Sequence, residues 1–282
     1  MTSSGLSPRA ALSEAKEMLG PGTDTTSATL AHILWALAHN PAYQDDLFGD
    51  LARAGFPQSM NGTGNGGGSS GLDAVPTLKA CVKEGVRWAG AAAAMLPRVV
   101  PDGGVVLEGV WVPGGTVVSS SPIWYLRDKT AFPNPDEYDP YRWLGEADGG
   151  RRLLSSEVAL RDRYYIPFSK GSNVCIGAHP RPYDRGAAAI SFSYYELYLA
   201  VSHVVRNFRI RLPADVDEQL LPPEQQQQQR RQQRQYSRGL LSTISANYSS
   251  TTGSFQPVPL PPRREWVAAV PTQKLAIVLE ER

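Results

Sequence analysis

One of the chain's two cysteines lies in a segment suited to chemistry, Phe168-Ser169-Lys170-Gly171-Ser172-Asn173-Val174-Cys175-Ile176-Gly177. A phenylalanine, two glycines and a single sulfur at this spacing suit a tight loop that presents one thiol. Gly171 and Gly177 let the backbone turn there, or approach something flat and bulky. A thiolate held in this way can ligate a metal. A buried structural cysteine is the other reading of the same residues.

Two further groups could do chemistry. Gly22-Thr23-Asp24-Thr25-Thr26 places an acid and two hydroxyls directly after a Pro/Gly break. Asp24 or Thr25 then serves either as a helix N-cap or as the lining of a gap that holds water or an oxygen species. Glu84 and Arg87 stand at i and i+3 on one helix face, the spacing of an ordinary surface ion pair. A metal site of another type, built on Cys175 and His179 with His203 further on, lacks the three or four ligands such sites need.

These residues require elements to hold them. Leu12 onward reads as a helix that breaks at Gly20-Pro21-Gly22 and resumes through Leu30, Ile33, Leu34 and Leu37 until Asn40-Pro41. A surface helix is predicted over 42–56, a flexible Gly/Ser/Asn loop over 58–72, and a helix with the stripe Leu78, Val82, Val86. Val105–Glu108 and Val110–Thr116 read as antiparallel strands, with turn signals at Glu108-Gly109 and Pro113-Gly114-Gly115. Residues 121–128 read as a short helix with Trp124 and Tyr125 in the core. A helix through Val201, Val204 and Val205 and a strand over Asn207–Leu212 follow. Residues 213–262, with the Gln/Arg tract 225–235, read as low-complexity and disordered, and Trp266–Leu279 as a hairpin completing a C-terminal sheet.

Bulk properties narrow the function classes. With 282 residues and 41% apolar composition the chain can bury a sizeable core. Its net charge of +1, from 28 basic and 27 acidic residues, gives no overall electrostatic case for nucleic acid or an anionic membrane. Two cysteines make no disulfide framework. Residues 1–10 do not form a secretory signal, and no run of about 18 apolar residues occurs. The sequons at Asn61 and Asn247 are read as chance matches.

The pattern Phe168-x-x-Gly171-x-x-x-Cys175-x-Gly177 resembles the haem-ligand signature of the cytochrome P-450 monooxygenases. The order of Asp24-Thr25, Glu84/Arg87, Arg98, Pro140-Tyr141-Arg142-Trp143 and Cys175 is similar to that of fungal microsomal members, over about residues 5–212. The resemblance implies a mainly α fold with small antiparallel β-sheets (α+β), as in the C-terminal half of that fold. Its haem-binding region would cover 1–212, with 213–262 inserted and 263–282 returning as strands of the same domain. It implies haem b, with Cys175 as axial ligand and Phe168, Gly171 and Gly177 shaping the loop. Arg98 would donate to a haem propionate, and Glu84, Arg87 and Arg142 would form a buried charged lock. Asp24 and Thr25 would relay protons. An NADPH-cytochrome reductase would supply electrons, the substrate would be a small secondary-metabolite or lipid-like molecule, and the site of action would be the endoplasmic reticulum membrane. The chain itself shows no anchor or signal.

Three departures qualify these implications. Pro21 takes the place of the family's alanine in the oxygen-activating helix, Asn173 that of an arginine, and residues 178–193 interrupt the text after Gly177. Two prolines and a glycine there would displace or shorten the helix supporting the thiolate. The hypothesis of an unremoved intron is tested by sequencing the transcript, a uniform message retaining the segment being the result against it. The competing expectation is a non-catalytic remnant that binds haem weakly or not at all.

Overall fold

A computed structural model of the chain describes residues 5–56, 71–146, 150, 153–178, 191–213, 258–261, 263–265, 269–271 and 275–282. The architecture is helical with small antiparallel two-stranded sheets, an α+β fold.

The first helix, α1 (Pro8–Ala38), starts at Ser7, whose hydroxyl accepts from the Ala10 N–H at 3.3 Å, with Pro8 in its first turn. It runs through Gly20-Pro21-Gly22 without the break expected from the sequence. An interior proline costs about 3 kcal/mol and each glycine about 1 kcal/mol relative to alanine. This part of the helix is exposed, so water can meet the carbonyl that Pro21 leaves without a donor. Tertiary burial of the second half, where Ile33, Ala36 and Leu37 are fully enclosed, outweighs the local penalty.

Helix α2 (Pro41–Arg53) is half surface and half core, because Tyr43, Gln44, Leu47 and Leu51 face inward. Gln44 joins three elements: its amide donates to Leu37 O at 2.7 Å and to Ile210 O at 2.8 Å, and its carbonyl accepts from Ile210 N at 2.9 Å. The predicted loop over 58–72 lies largely outside the described residues. Its end is structured, with Leu72 buried in a 3-10 turn (Leu72–Ala74) that leads into α3 (Pro76–Ala89).

Helix α3 carries the core stripe foreseen from Leu78, Val82 and Val86, and it crosses α1 closely. At Gly85 an added Cβ would stand 2.1 Å from Ile33 Cγ1, so only glycine permits the approach. Helices α5 (Ser155–Tyr164) and α6 (Phe192–Asn207) complete the long elements; α6 packs on α1, α2 and α3 around Tyr198, Val201 and Val205.

The strands frame this helical core. β1 (Leu96–Val99) pairs with β4 (Val117–Ser120), placing Arg98 opposite Val118. β2 (Val105–Leu107) and β3 (Val110–Val112) form a hairpin across Glu108 and Gly109, both at positive φ. The expected strand over 110–116 therefore ends at Val112, and the chain turns before resuming as β4. Helix α4 (Pro122–Leu126) buries Pro122, Ile123 and Leu126. Trp124 and Tyr125 are 55% and 38% exposed, contrary to the core placement expected of them, because a helix this short has one inward stripe and Ile123 and Leu126 occupy it.

β5 (Glu137–Tyr138) pairs with β7 (Val258–Pro259), which falls within the stretch whose composition reads as low complexity. β6 (Phe208–Arg211) pairs with β10 (Val278–Glu281), and β8 (Arg263–Glu265) with β9 (Ala269–Pro271). Among the described residues no helix is long and apolar enough to cross a membrane.

Candidate functional site

The loop that carries Cys175 is built by its own backbone. Ser169 and Gly171 take positive φ of 63° and 86°, the Cys175 N–H donates to Phe168 O at 2.9 Å, and Val174 N–H to Gly171 O at 3.1 Å. A 3-10 turn over Ile176–Ala178 follows. Cys175 is exposed, whereas Cys81 is fully buried and receives the Tyr138 hydroxyl at 3.1 Å. Burial pushes the Cys81 thiol up to about 12, so it remains protonated. Cys175 is thus the thiol accessible to an outside group.

Two neighbours anchor this loop. The Phe168 ring lies edge-on to Tyr194 of α6, centroids 5.6 Å apart. The Tyr194 hydroxyl is hydrogen-bonded to the Tyr165 hydroxyl, and Tyr165 donates to Lys83 O of α3 at 3.1 Å. Ser191 donates through its hydroxyl to Gly177 O. A Cβ on Gly177 would stand 2.4 Å from Ser193 Oγ and 3.6 Å from Cys175 Sγ. The first turn of α6 therefore returns to the cysteine loop. The helix expected to be displaced by residues 178–193 is set back in sequence, but in space its N-terminus adjoins Gly177; residues 179–190 lie outside the described residues.

The charged lock is fully assembled. Arg87 grips Glu84 with two parallel bonds of 2.8 Å, Nε to Oε2 and Nη2 to Oε1, and Arg142 Nε donates to Oε1 at 3.0 Å. Glu84 and Arg87 are 0% exposed, so the surface ion-pair reading does not hold. Asp139 N–H (2.9 Å) and Trp143 Nε1 (2.8 Å) complete the carboxylate's shell. Burial alone would raise the Glu84 pKa; Arg142 and Arg87 overcome it and hold the carboxyl below its ordinary value. Arg87 also donates to the carbonyls of Leu126, Pro135 and Glu137, which fixes the Phe132–Tyr138 approach against α3.

On α1, Thr25 donates its hydroxyl to Pro21 O at 2.7 Å, and Thr29 donates to Thr25 O at 2.8 Å. Asp24 is exposed on the same helix. Neither residue is an N-cap, since the helix starts at Ser7. Arg98 is exposed on β1, one of its guanidinium nitrogens donating to Pro97 O at 2.8 Å. The structure brings Phe168, Cys175 and Gly177 into one loop and Glu84, Arg87 and Arg142 into one cluster, while Asp24 and Thr25 stand on α1 and Arg98 on β1.

Sequence reasoning missed Trp143, Asp139 N–H and the Tyr165–Tyr194 pair. Trp143 directly follows Arg142, the signal that could have found it. His203 of the alternative metal reading makes a 3.4 Å contact with Asn207, and His179 lies outside the described residues. Among the described residues no group of three or more His, Cys, Asp or Glu side chains could hold a metal ion.

The haem group fits the side chains present. Its iron would need one accessible thiolate, which Cys175 can supply. Gly177 keeps the flank beside the sulfur free of a Cβ, and Arg98 is an exposed cation of the type that pairs with a propionate.

The cytochrome P-450 family description matches residues 2–236. Cytochrome P-450 monooxygenase sdnE of Sordaria araneosa is 32% identical over 200 residues, covering 71% of this chain and 34% of that protein. Fusicoccadiene C-8 hydroxylase of Alternaria brassicicola is 33% identical over 183 residues, 62% of this chain and 31% of that one. Tryptophan 6-hydroxylase fscE of Fusarium equiseti is 30% identical over 199 residues, 71% and 34% respectively. The chain spans about a third of the length of these curated relatives. The family match over most of the chain, together with the assembled lock and the exposed cysteine of the Phe-x-x-Gly-x-x-x-Cys-x-Gly loop, establishes that this chain belongs to the cytochrome P-450 family.

Proposed function

We propose that the chain supplies the haem-binding part of a monooxygenase acting on a small organic molecule of fungal secondary metabolism, with Cys175 as the residue that would hold the iron of haem b. The observation that carries this reading is the exposed Cys175 thiol, seated between Phe168 and Gly177 with the start of α6 beside it. When bound, thiolate-ligated haem activates dioxygen and inserts one oxygen atom into the substrate.

The residues of this chain have four tasks. Cys175 would hold the iron as a thiolate, having lost its proton to solvent. Arg98 would pair with a propionate through its remaining donors. Thr25, whose hydroxyl is held on Pro21 O, and the exposed Asp24 would hold and pass protons from water, with the Thr25 hydroxyl as the donor. The Glu84, Arg87 and Arg142 lock fixes α3 against the Phe132–Trp143 approach, and the Tyr165 and Tyr194 hydroxyls tie α3 to the cysteine loop. Electrons come from an NADPH-cytochrome reductase at the endoplasmic reticulum membrane. Hydroxylases of fusicoccadiene and of tryptophan among the relatives support a small-molecule substrate.

A second reading is a chain that binds haem weakly or not at all and does not turn over. The exposure of Leu12 (56%) and Leu19 (68%) on α1 and of Ile176 (67%) beside Cys175 favours it, since open apolar surface of this kind is what a partial fold leaves uncovered. The absorbance difference spectrum of haem-supplemented chain after reduction and carbon monoxide separates the two. A red-shifted Soret band of thiolate-ligated haem, lost in Cys175→Ala, is expected. Soluble, folded chain without that band would overturn the proposal in favour of the second reading.

A further inference from the structure

A cavity of about 330 Å³ opens beside α3, with Asp73, Lys79, Lys83, Trp143 and Leu144 on its wall. It takes no part in the function proposed above. We propose that this cavity binds a small organic acid, whose carboxylate lies between the Lys79 and Lys83 ammonium groups and whose apolar body rests against Trp143 and Leu144.

Two cations on the wall have no counter-ion. Among the described residues neither Lys79 nor Lys83 has a hydrogen-bond acceptor or an ion-pair partner for its amine, and Asp162, which attracts Lys83, is already bonded to Arg161 at 2.9 Å. Lys83 Nζ sits 4.2 Å from the centroid of Trp143 and 5.1 Å from that of Tyr165, a placement that favours the charged ammonium. An ammonium carries three N–H donors, and ring faces do not replace an anionic oxygen as their acceptor. Trp143 is itself held by its bond to Glu84 and Tyr165 by its bond to Lys83 O, so the seat of this cation is set before a ligand arrives. Lys79 is exposed one helical turn earlier, and the i, i+4 spacing puts both amines on one face of α3, where one carboxylate can meet the two.

Charge and shape select the ligand class. Asp73 is the acid on the wall, so two ammonium groups less one carboxylate leave a single positive charge, which one ligand carboxylate neutralises. Asp73 repels a second negative charge and disfavours a dianion. Ala74, Pro76, Leu144 and the Trp143 indole form an apolar surface that a bare inorganic anion would leave unused and an organic body would cover. Burial lowers the Lys83 pKa to about 8, with Asp162 opposing and Arg161 and Lys79 adding to the fall. At pH 7 an amine with that pKa is still about nine-tenths protonated, so the cation that the rings favour is the form that meets the ligand. A carboxylate between Lys79 and Lys83 also offsets the repulsion of one for the other.

The test is calorimetric titration of the full-length chain at pH 7 with benzoate, with acetate as the acid that lacks a body and benzyl alcohol as the body that lacks a charge. Benzoate is expected to bind saturably with a Kd of about 1 mM or below, acetate about tenfold more weakly, and benzyl alcohol without saturation. Lys83→Gln should weaken benzoate about tenfold, and Lys79→Gln, at an exposed position, several-fold. Asp73→Asn should tighten benzoate by removing the repelling charge, and Lys129→Gln, outside the cavity wall, should change nothing. Absence of saturable benzoate binding, or benzyl alcohol bound as tightly as benzoate, would overturn the proposal. So would a benzoate affinity unchanged by Lys79→Gln, a variant that keeps the test decisive should Lys83→Gln fail to fold.

Discussion

Replacing Glu84 with glutamine is the most informative perturbation of this fold. The carboxylate accepts five hydrogen bonds: Oε1 from Arg87 Nη2, Asp139 N and Arg142 Nε, and Oε2 from Arg87 Nε and Trp143 Nε1. An amide nitrogen must replace one of those oxygens, and the less costly choice is the Oε2 position, which sets it against two donors. Each unmet buried donor costs about 1–3 kcal/mol. Breaking one partner of a buried ion pair costs about 3–5 kcal/mol by itself. A loss of about 3–5 kcal/mol is therefore expected, a large part of the roughly 5–15 kcal/mol that holds a domain folded.

Urea unfolding of the full chain, followed by tryptophan fluorescence, measures that loss; for a slope of about 2 kcal/mol/M the midpoint moves by about 2 M. A change below about 1 kcal/mol at unchanged slope would refute the argument. Trp143→Phe removes only one donor and offers a milder second arm, with an expected loss of about 1 kcal/mol. The pH dependence adds a third. The folded-state pKa of Glu84 lies below its ordinary 4.5, so its contribution is present above that value and is lost as pH falls through the folded pKa. Glu84→Gln should lack this part of the acid limb.

Three further outcomes are expected. Native chain should react with a thiol reagent at Cys175 alone, and Cys81 should follow only after denaturation, because one thiol is exposed and the other buried with its pKa near 12; two fast thiols would contradict the packing of Cys81 under Tyr138. Gly177→Ala should destabilise the cysteine loop by about 1–3 kcal/mol through overpacking and lower the yield of the thiolate-haem band, and Ser193→Ala should restore it by removing the oxygen that a Cβ would strike. His32 is 0% exposed and its pKa is lowered, chiefly by burial, so its neutral form is favoured in the fold. Stability should be fully present above the ordinary value of 6.5 and decline as pH falls below it towards the folded pKa; His32→Gln should flatten that decline, and an unchanged profile would count against it.

The sequence by itself determined the family and most of the elements, though not α5 or β1. The apolar stripe of α3, the turn residues at Glu108-Gly109 and the spacing from Phe168 to Gly177 are local patterns, and local patterns are what a linear reading detects. The same reading placed Glu84 and Arg87 on one helix face but could not say whether they were buried. Only tertiary structure decided that, because three of the five hydrogen bonds to Glu84 come from residues 139, 142 and 143, more than fifty positions away.

The same cause explains the corrections. Pro21 breaks a helix on local propensity, yet α1 continues because its second half is buried against α3 and α6. Trp124 and Tyr125 are apolar enough for a core, yet the inward stripe of α4 belongs to Ile123 and Leu126. Residues 178–193 separate the cysteine loop from its helix along the chain, while Ser191 and Ser193 bring that helix back to Gly177. Propensity and spacing act over a few residues, but burial is settled by partners distant in sequence, and at each of these positions it was the distant partner that decided the outcome.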